Sequence, residues 1–219
     1  MRPTLKIFYH SLVARFYDVA MRKVERLCLS HWRAELLSDL TGDVLEIGAG
    51  TGVNLQHYPQ KINRLVLCEP DPSMRKHLEL KMQNFQLGCS EVRSCAAESL
   101  DAAEGSFDYL VSTLVFCSVS DLQQSMKEAL RVLKPGGRLI LMEHVAADKN
   151  SRLHFWQHLW QPLWKRLACN CHLTRQTGSL LEDAGFKLYL REEIMRGAPS
   201  IAAPMIIGYA VRPHEVGSL

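Results

Sequence analysis

The sequence predicts an α/β protein built on a doubly wound, mostly parallel sheet of seven strands, with helices on both faces and one antiparallel strand near the C-terminus. From residue 43 onward, apolar runs of strand length alternate with segments of helical periodicity, a pattern typical of βαβ units. The last two apolar runs lie close together, which favours a hairpin and therefore an antiparallel strand. The chain of 219 residues, 47% of them hydrophobic, suffices for one large core.

The elements are predicted in chain order from this alternation. Apolar and charged residues alternate at helical spacing over residues 8–40, so we assign residues 1–40 to an N-terminal helical cap of two helices and residues 41–219 to the domain that holds the sheet. The predicted strands are 43–47, 64–69, 89–95, 107–115, 138–145, 186–194 and 205–212. The predicted later helices are 53–58, 71–84, 121–133, 151–168 and 175–184, with a tight turn at 134–137.

Charge and cysteine content narrow the class of protein. The formal net charge is +3 and no run of Lys or Arg exceeds two residues, so we expect no nucleic-acid partner. Seven cysteines without a CxxC pair, and no secretory signal at the start, predict a reducing, cytoplasmic location. Charged residues interrupt every apolar window before it reaches bilayer length, so no transmembrane segment is expected. The spacing of Cys169, Cys171 and His172 matches no common zinc pattern, and we expect no metal.

The most informative motif is a glycine-rich loop directly after the first predicted strand. Its alternate glycines allow the backbone to approach a ligand closely. The dinucleotide fingerprint requires glycine at the sixth position, where Val53 stands. The carboxylate of Glu46 would repel a pyrophosphate but attract the sulfonium and ammonium groups of S-adenosylmethionine. We therefore predict a site for S-adenosylmethionine and, with it, methyl transfer. The residues assigned to it here are Glu46, Gly48, Ala49, Gly50, Thr51, Gly52 and Asn54.

The loop after the second strand is expected to meet the glycine loop, because ligands of such sheets bind outside the C-terminal ends of the strands. Glu69 ends that strand 21 residues after Gly48, where an acidic side chain can accept both ribose hydroxyls. Pro70 and Met74 follow as candidates for contact with the adenine ring.

The loops after the third and fourth strands complete the predicted cofactor site. A backbone N–H of Ala97 or Glu98 is expected at the adenine edge, and the Glu98 carboxylate is either an acceptor for the exocyclic amine or an ordinary exposed acid. Thr113 and Leu114 are expected below the sulfonium, where they form apolar walls and supply carbonyl oxygens near the methyl group, unless they are simply buried strand.

With these residues in view, the chain resembles class I S-adenosylmethionine-dependent methyltransferases, which have a Rossmann-like fold, over nearly its whole length. The glycine loop, Glu69 and the segments 107–109 and 133–137 fall in the order of that family. Segments 113–119, 142–147, 171–175 and 208–211 are similar to the methyltransferase-like thiol S-methyltransferase family, with its type 11 methyltransferase domain. This resemblance implies S-methylation of a thiol. Ala96 stands where many relatives place an adenine-binding aspartate, and the apolar N-terminal anchor of the animal members is not expected here.

The candidate catalytic residues are His144, then Cys117 and Tyr17, with His172 behind them. Each could equally have a structural role. A thiol acceptor, with a pKa near roughly 8.5, is partly ionised at neutral pH and needs little further activation. An oxygen or amine acceptor would need a better placed base.

An aromatic segment suggests a small, largely apolar acceptor. Trp156, Trp160 and Trp164 recur at a spacing of four residues within one predicted helix, which Pro162 should bend. Three interpretations remain open: this face packs on the sheet edge, it forms a lid over an apolar acceptor pocket, or it contacts lipid as a peripheral membrane surface.

Two other functions stay open at this point. The aromatic helix is compatible with C-, O- or N-methylation of a lipid or quinone intermediate. The lack of any residue that must be catalytic is compatible with a non-catalytic cofactor-binding module that has a protein partner. The sequence does not indicate an oligomeric state.

Overall fold

The computed structural model describes residues 18–85, 87 and 89–214. Among these residues the strands are β1 (Gly42–Ile47), β2 (Ile62–Cys68), β3 (Ser90–Arg93), β4 (Phe107–Thr113), β5 (Leu133–His144), β6 (Lys187–Ile194) and β7 (Pro204–Val211). They form one seven-stranded sheet in the order β3-β2-β1-β4-β5-β7-β6. The predicted fold class is confirmed.

The direction of the strands explains where a site can form. β1 lies between β2 and β4 and runs parallel to both, so the chain crosses to opposite sides of β1 before and after β3. Such a switch point opens a crevice at the C-terminal ends of the strands. β7 is antiparallel to both β5 and β6, as the close spacing of the last two apolar runs predicted.

The helices flank the sheet. Residues 18–24 are helical and continue through a π-helical turn, Glu25–Leu29, into α1 (Ser30–Leu37), so the described part of the predicted cap is one continuous helical segment. The others are α2 (Pro72–Met82), α3 (Leu122–Val132), α4 (Arg152–Leu167) and α5 (Thr177–Asp183). The helix predicted at 53–58 is a short 3₁₀ turn, Leu55–His57. Asp71 caps α2 by accepting from the N–H groups of Ser73 and Met74, with Pro72 at the first position.

Two cores cover the two faces of the sheet. Leu45 and Ile47 of β1 face a cluster that includes Met126 of α3 and Leu181 of α5. Val44, the neighbour of Leu45, faces the opposite cluster with residues of α1 and α2. This alternation is the period-2 arrangement of a strand buried on both faces.

β5 begins earlier than the sequence predicted. The segment 134–137, predicted as a tight turn, forms the start of β5 instead. The β4–β5 pairing has a register shift between Phe107 and Tyr109, which accommodates this glycine-containing segment. A Cβ at Gly137 would lie 2.8 Å from the Lys134 carbonyl oxygen, so glycine is required for the close approach.

The aromatic helix does not bury its tryptophans on the sheet edge. Trp156 and Trp160 of α4 are each 45% exposed, and Trp164 is half-buried. A four-residue step rotates a side chain about 40° around a helix, so Trp164 lies well round from Trp156. The first of the three interpretations of this face is therefore wrong.

The cysteines include a bond that the sequence reasoning did not anticipate. Cys68, at the end of β2, and Cys95, just after β3, form a disulfide. The free cysteines of the described chain are Cys28, Cys89, Cys117, Cys169 and Cys171.

No helix within residues 18–85, 87 and 89–214 combines the length and apolarity needed to cross a bilayer. The same residues contain no cluster of three His, Cys, Asp or Glu side chains suited to a metal ion.

Candidate functional site

The glycine loop lies at the C-terminal end of β1, at the switch point. Gly48 has a φ of +57° and Gly50 of +58°, a region that L side chains rarely adopt. A Cβ at Gly48 would lie 2.6 Å from a methyl group of Val115, whereas at Gly50 the nearest atom would be 3.9 Å away. Gly48 is therefore needed for packing inside the protein, and Gly50 leaves an open backbone face that a ligand can approach.

Glu69 joins the end of β2 to this loop. Its Oε2 accepts from the Gly50 N–H at 2.7 Å and its Oε1 from the Asp71 N–H at 2.8 Å. Burial raises the pKa of the Glu69 carboxyl, while these two backbone donors lower it. The carboxylate is thus held at the loop by main-chain groups. Pro70 beside it is exposed and Met74 half-buried.

Glu46 lies beneath the loop, buried to 2% exposure. Its Oε1 accepts from Asn54 Nδ2 at 2.8 Å and its Oε2 from the Tyr58 hydroxyl at 2.7 Å. Burial raises the pKa of Glu46, and the two donors oppose that effect. Direct contact of Glu46 with the cofactor remains a prediction, because the structure gives both of its oxygens protein partners.

Arg33 of α1 connects the cap to this buried polar cluster. One of its terminal nitrogens, Nη1, donates to Asn54 Oδ1 at 2.6 Å and to the Thr113 hydroxyl at 2.9 Å. Its other nitrogens donate to the Glu25 carboxylate at 3.1–3.3 Å. The sequence analysis missed Arg33, Glu25 and Tyr58, since none of them lies in a recognisable motif.

Asp18 makes a second connection between the cap and the glycine loop. Its Oδ1 accepts from the Thr51 hydroxyl at 2.6 Å, and its Oδ2 lies 3.0 Å from the Lys81 ammonium of α2. Thr51 and Ala49 are both 2% exposed, so the loop is enclosed from below. A Cβ at Gly52 would lie 2.8 Å from Leu55.

The Glu98 carboxylate, in the loop after β3, reaches the start of α3, and the contact of Glu98 with adenine stays a prediction. Its Oε1 accepts from the Ser120 N–H at 2.8 Å and the Asp121 N–H at 3.2 Å, just before α3. A carboxylate there also complements the positive end of the helix dipole. Ala97 is buried, and Ala96 forms an isolated bridge with Ser99.

Glu143 organises the loop after β4, a function that the sequence analysis also missed. Its carboxylate is completely buried and accepts from the Ser112 hydroxyl at 2.7 Å. Three backbone N–H groups of the loop donate to the same carboxylate at 3.0–3.3 Å, those of Val115, Phe116 and Cys117. Leu114 has a φ of +62°, which costs backbone energy that these bonds offset. The available signal was an acid inside the predicted apolar strand 138–145. The same kind of signal identified Glu46.

Two of the predicted catalytic residues, His144 and Cys117, are buried, and His172 is half-buried. His144 is 7% exposed, its Nδ1 has no hydrogen-bond partner, and burial lowers its pKa to about 4. Interaction with the Cys171 thiol, and then burial, raise the pKa of Cys117 well above its ordinary value. The His172 backbone N–H donates to the Cys117 carbonyl at 2.8 Å, and burial lowers the pKa of the His172 ring. Tyr17 lies outside the described residues.

Comparison with known proteins identifies the chain. A family model described as a methyltransferase domain matches residues 45–141. Thiol S-methyltransferase TMT1A of Homo sapiens is 38% identical over 172 residues, which cover 77% of this chain and 70% of that protein. Thiol S-methyltransferase TMT1B of Homo sapiens is 34% identical over 225 residues, covering 96% of this chain and 88% of that protein. The chain belongs to this thiol S-methyltransferase family. It is an S-adenosylmethionine-dependent methyltransferase.

The fold of this chain matches that of a solved structure. The crystal structure of the YcgJ protein from Bacillus subtilis matches with a TM-score of 0.70 at 15% identity, covering 85% of this chain and all (100%) of that one.

The residues of this methyltransferase fit S-adenosylmethionine. Two carboxylates at the glycine loop, those of Glu46 and Glu69, accept from neutral donors, and the open face at Gly50 leaves space for a ligand. The cations beside the loop are already paired, Arg33 with Glu25 and Lys81 with Asp18. This balance suits a positively charged, phosphate-free ligand better than a pyrophosphate. Glu69 and the backbone of the glycine loop are the groups that would hold it.

Proposed function

We propose that this methyltransferase transfers the methyl group to the thiol of a small, largely apolar acceptor. When bound, S-adenosylmethionine supplies a methyl group on a cationic sulfur, which leaves as a neutral thioether as the acceptor sulfur takes the methyl carbon. The only proton that the protein or the solvent must accept is then the thiol proton.

The observation that carries this proposal is the weakness of the candidate bases among the described residues. Burial lowers the pKa of His144 to about 4, so its ring is a poor proton acceptor. Cys117, with a raised pKa, stays neutral. A thiol ionises by itself to a few per cent at neutral pH, so it is the acceptor that such a site serves best. The activity named for the two human relatives supports the same acceptor.

The protein's own contribution is alignment and exclusion of water. The loop after β4 carries Leu114, Val115 and Phe116, and Glu143 fixes its backbone through three N–H groups. A fixed apolar wall orients the acceptor and keeps water from the reacting atoms. We assign the largely apolar character of the acceptor to this loop.

The remaining site assignments are part of the same proposal. Glu69 and the glycine loop bind the cofactor. Glu46 and Thr113 act through Asn54 as positioning residues. The helical segment 18–37 covers the glycine loop. Asp18 binds Thr51 of that loop, and Arg33 binds Asn54 directly after it.

The disulfide supports a proposal on the compartment. Disulfides are rare in proteins of a reducing cytoplasm, so the Cys68–Cys95 bond supports an oxidising compartment rather than the cytoplasm that the cysteine spacing suggested.

A panel of acceptors tests the function. Purified protein is incubated with methyl-labelled S-adenosylmethionine and small apolar thiols, phenols, quinols and amines. We expect label in the thiols, at a rate that rises with pH as the thiol ionises. Methylation of a quinol or phenol with every thiol inert would replace the proposal with the quinone or lipid alternative. Binding of the demethylated cofactor without methylation of any acceptor would favour the non-catalytic module.

A further inference from the structure

Helix α4 is attached to the protein by polar side chains. Gln157 is fully buried and donates through Nε2 to the carbonyls of Val145 (3.2 Å) and Ile201 (3.0 Å). Its Oε1 accepts from the Ala147 N–H at 2.8 Å. One turn later, Gln161 accepts from the Leu173 N–H at 2.6 Å and donates to the Cys171 carbonyl at 3.2 Å. Two amides therefore hold this helix, where a surface helix ordinarily uses apolar residues.

The opposite face of α4 is apolar and exposed. Six large hydrophobic side chains lie on it, each between 45% and 68% exposed: Phe155, Trp156, Leu159, Trp160, Leu163 and Leu167. We call this set the α4 face. Single exposed hydrophobic residues are ordinary, but six on one 16-residue helix form a contiguous surface that water solvates poorly. A helix that turns its amides and Trp164 inward but Trp156 and Trp160 outward is built to meet an apolar partner.

The charges around the α4 face select the partner. No Asp or Glu occurs between Asp148 and Glu182, whereas that stretch contains five basic residues, Lys149, Arg152, Lys165, Arg166 and Arg175. Arg152 and Lys165 are exposed at opposite ends of the helix, while Arg175 is turned inward to backbone carbonyls. Asp148 is the acid nearest to α4 in the sequence, and its carboxylate accepts from the Asn150 N–H at 2.7 Å. Aromatic and aliphatic residues between basic ends are typical of helices that lie in the interface of an anionic bilayer.

We propose that α4 is an interfacial helix that docks the protein on the surface of an anionic lipid bilayer. Its tryptophans lie at the level of the headgroups, its leucines and Phe155 enter the acyl boundary, and the terminal Lys and Arg side chains contact the lipid phosphates. α4 follows the C-terminal end of β5. Docking therefore brings the C-terminal ends of the strands, where the site lies, toward the membrane. The proposal does not depend on the acceptor being a thiol, because its readout is lipid binding.

Vesicle sedimentation tests the proposal directly. The full chain is mixed with vesicles of phosphatidylcholine and phosphatidylserine, and the bound fraction is measured. We expect the double variant Trp156→Gln/Trp160→Gln to bind about tenfold more weakly or worse. The matched control Leu80→Gln/Ile194→Gln removes two side chains of similar exposure away from α4 and should bind like the unaltered protein. Equal binding by the two double variants, or no binding by the unaltered protein, would overturn the proposal.

A charge arm separates lipid docking from general stickiness. Arg152→Gln/Lys165→Gln should weaken binding to the anionic vesicles and change little on phosphatidylcholine alone. Rising salt should reduce the first kind of binding and spare the second. An unaltered affinity of this variant for anionic vesicles would contradict the assignment of the partner.

The other occupants of the α4 face are excluded by quenching and sedimentation without lipid. The part of the tryptophan fluorescence that Trp156→Gln/Trp160→Gln removes should be open to iodide in the free, monomeric protein and protected on vesicles. Protection in the absence of vesicles would mean that a second copy or another segment of the chain covers the face. A dimer of the unaltered protein that dissociates in Trp156→Gln/Trp160→Gln would likewise show that a second copy covers the face. Thermal unfolding and binding of the demethylated cofactor should stay unchanged in every α4 variant, which shows that the fold survives.

Discussion

At the scale of single residues, the site depends on buried carboxylates in which each oxygen accepts a hydrogen bond from the protein. Glu46, Glu69 and Glu143 each accept hydrogen bonds from groups of other elements. A buried acid is tolerated when such donors replace water. Each of the three therefore fixes the geometry of a loop as well as its charge.

Replacement of Glu69 tests the cofactor loop. In Glu69→Gln the amide places an N–H₂ group against one of two N–H donors, Gly50 or Asp71, so at least one bond is lost. We expect affinity for the demethylated cofactor, measured by calorimetry, to fall about tenfold or more. Glu79→Gln, on the exposed side of α2, is the control and should bind normally. Normal binding by both variants would remove Glu69 from the site.

His144 makes stability dependent on pH. Its folded pKa, about 4, lies below the ordinary value of 6.5, so the unfolded chain binds more protons between these values. The stability that this histidine contributes is present above pH 6.5 and is lost as pH falls toward 4, by about 3 kcal/mol in total. Urea unfolding at pH 7 and pH 4.5 should show a smaller loss in His144→Gln. The exposed His31→Gln should retain the full loss, and equal losses in all three proteins would refute the assignment.

At the scale of elements, the first helical segment acts as part of the site. Arg33 of α1 reaches Asn54 beside the glycine loop and Thr113 at the end of β4, while its remaining nitrogens bind Glu25, eight residues earlier in the π-helical turn. One buried guanidinium thus ties three elements together.

Removal of this guanidinium should loosen the cap. Arg33→Met leaves Glu25 and the Asn54 amide oxygen without the Arg33 donor and removes one of the two donors to Thr113, so we expect the free energy of unfolding to fall by about 3 kcal/mol. The control Arg191→Met breaks the exposed ion pair between Arg191 of β6 and Glu35 of α1. It should lower the free energy of unfolding by less than about 1 kcal/mol. Denaturant titration of both variants measures the difference, and similar costs would show that the buried network carries no special stability.

Prediction from sequence succeeded where the signal is local. The position of the glycine loop after β1 and that of Glu69 after β2 are set by residues close in the chain, and turn chemistry and periodicity report on those. The partners of Arg33 lie 21 and 80 residues away, and no pattern within α1 indicates them. The start of β5 at Leu133 was missed because a Pro-Gly-Gly segment ordinarily makes a turn. Here Leu133 pairs with Phe107 of β4, and backbone bonds to Arg212 join Gly136 and Gly137 to the sheet. The direction of the aromatic face of α4 was left open because helical periodicity identifies a face but not what that face contacts.

At the scale of the whole molecule, the disulfide links the two strands at one edge of the sheet. Cys68 and Cys95 are separated by 27 residues, and each directly precedes a loop of the cofactor site. The bond therefore restricts the loops that carry Glu69 and Ala97.

Reduction should destabilise the protein measurably. Closing a loop of 27 residues contributes about 3 to 4 kcal/mol through the unfolded chain. We expect a reducing agent to lower the free energy of unfolding of the natural chain by that amount and to leave Cys68→Ser/Cys95→Ser unaffected. Cys89→Ser, which removes an exposed free thiol, should respond like the natural chain. Insensitivity of the natural chain to reductant would show that the bond is absent in solution.

The position of β7 has a consequence for biosynthesis. β7 is the last strand in the chain and lies between β5 and β6, which were both made before it. Until residues 204–211 leave the ribosome, β5 presents an open edge and β6 has no partner, so two unpaired edges coexist in the nascent chain. A ribosome that stalls near residue 200 would therefore hold a half-built sheet with two open edges, ready to aggregate or to recruit a chaperone.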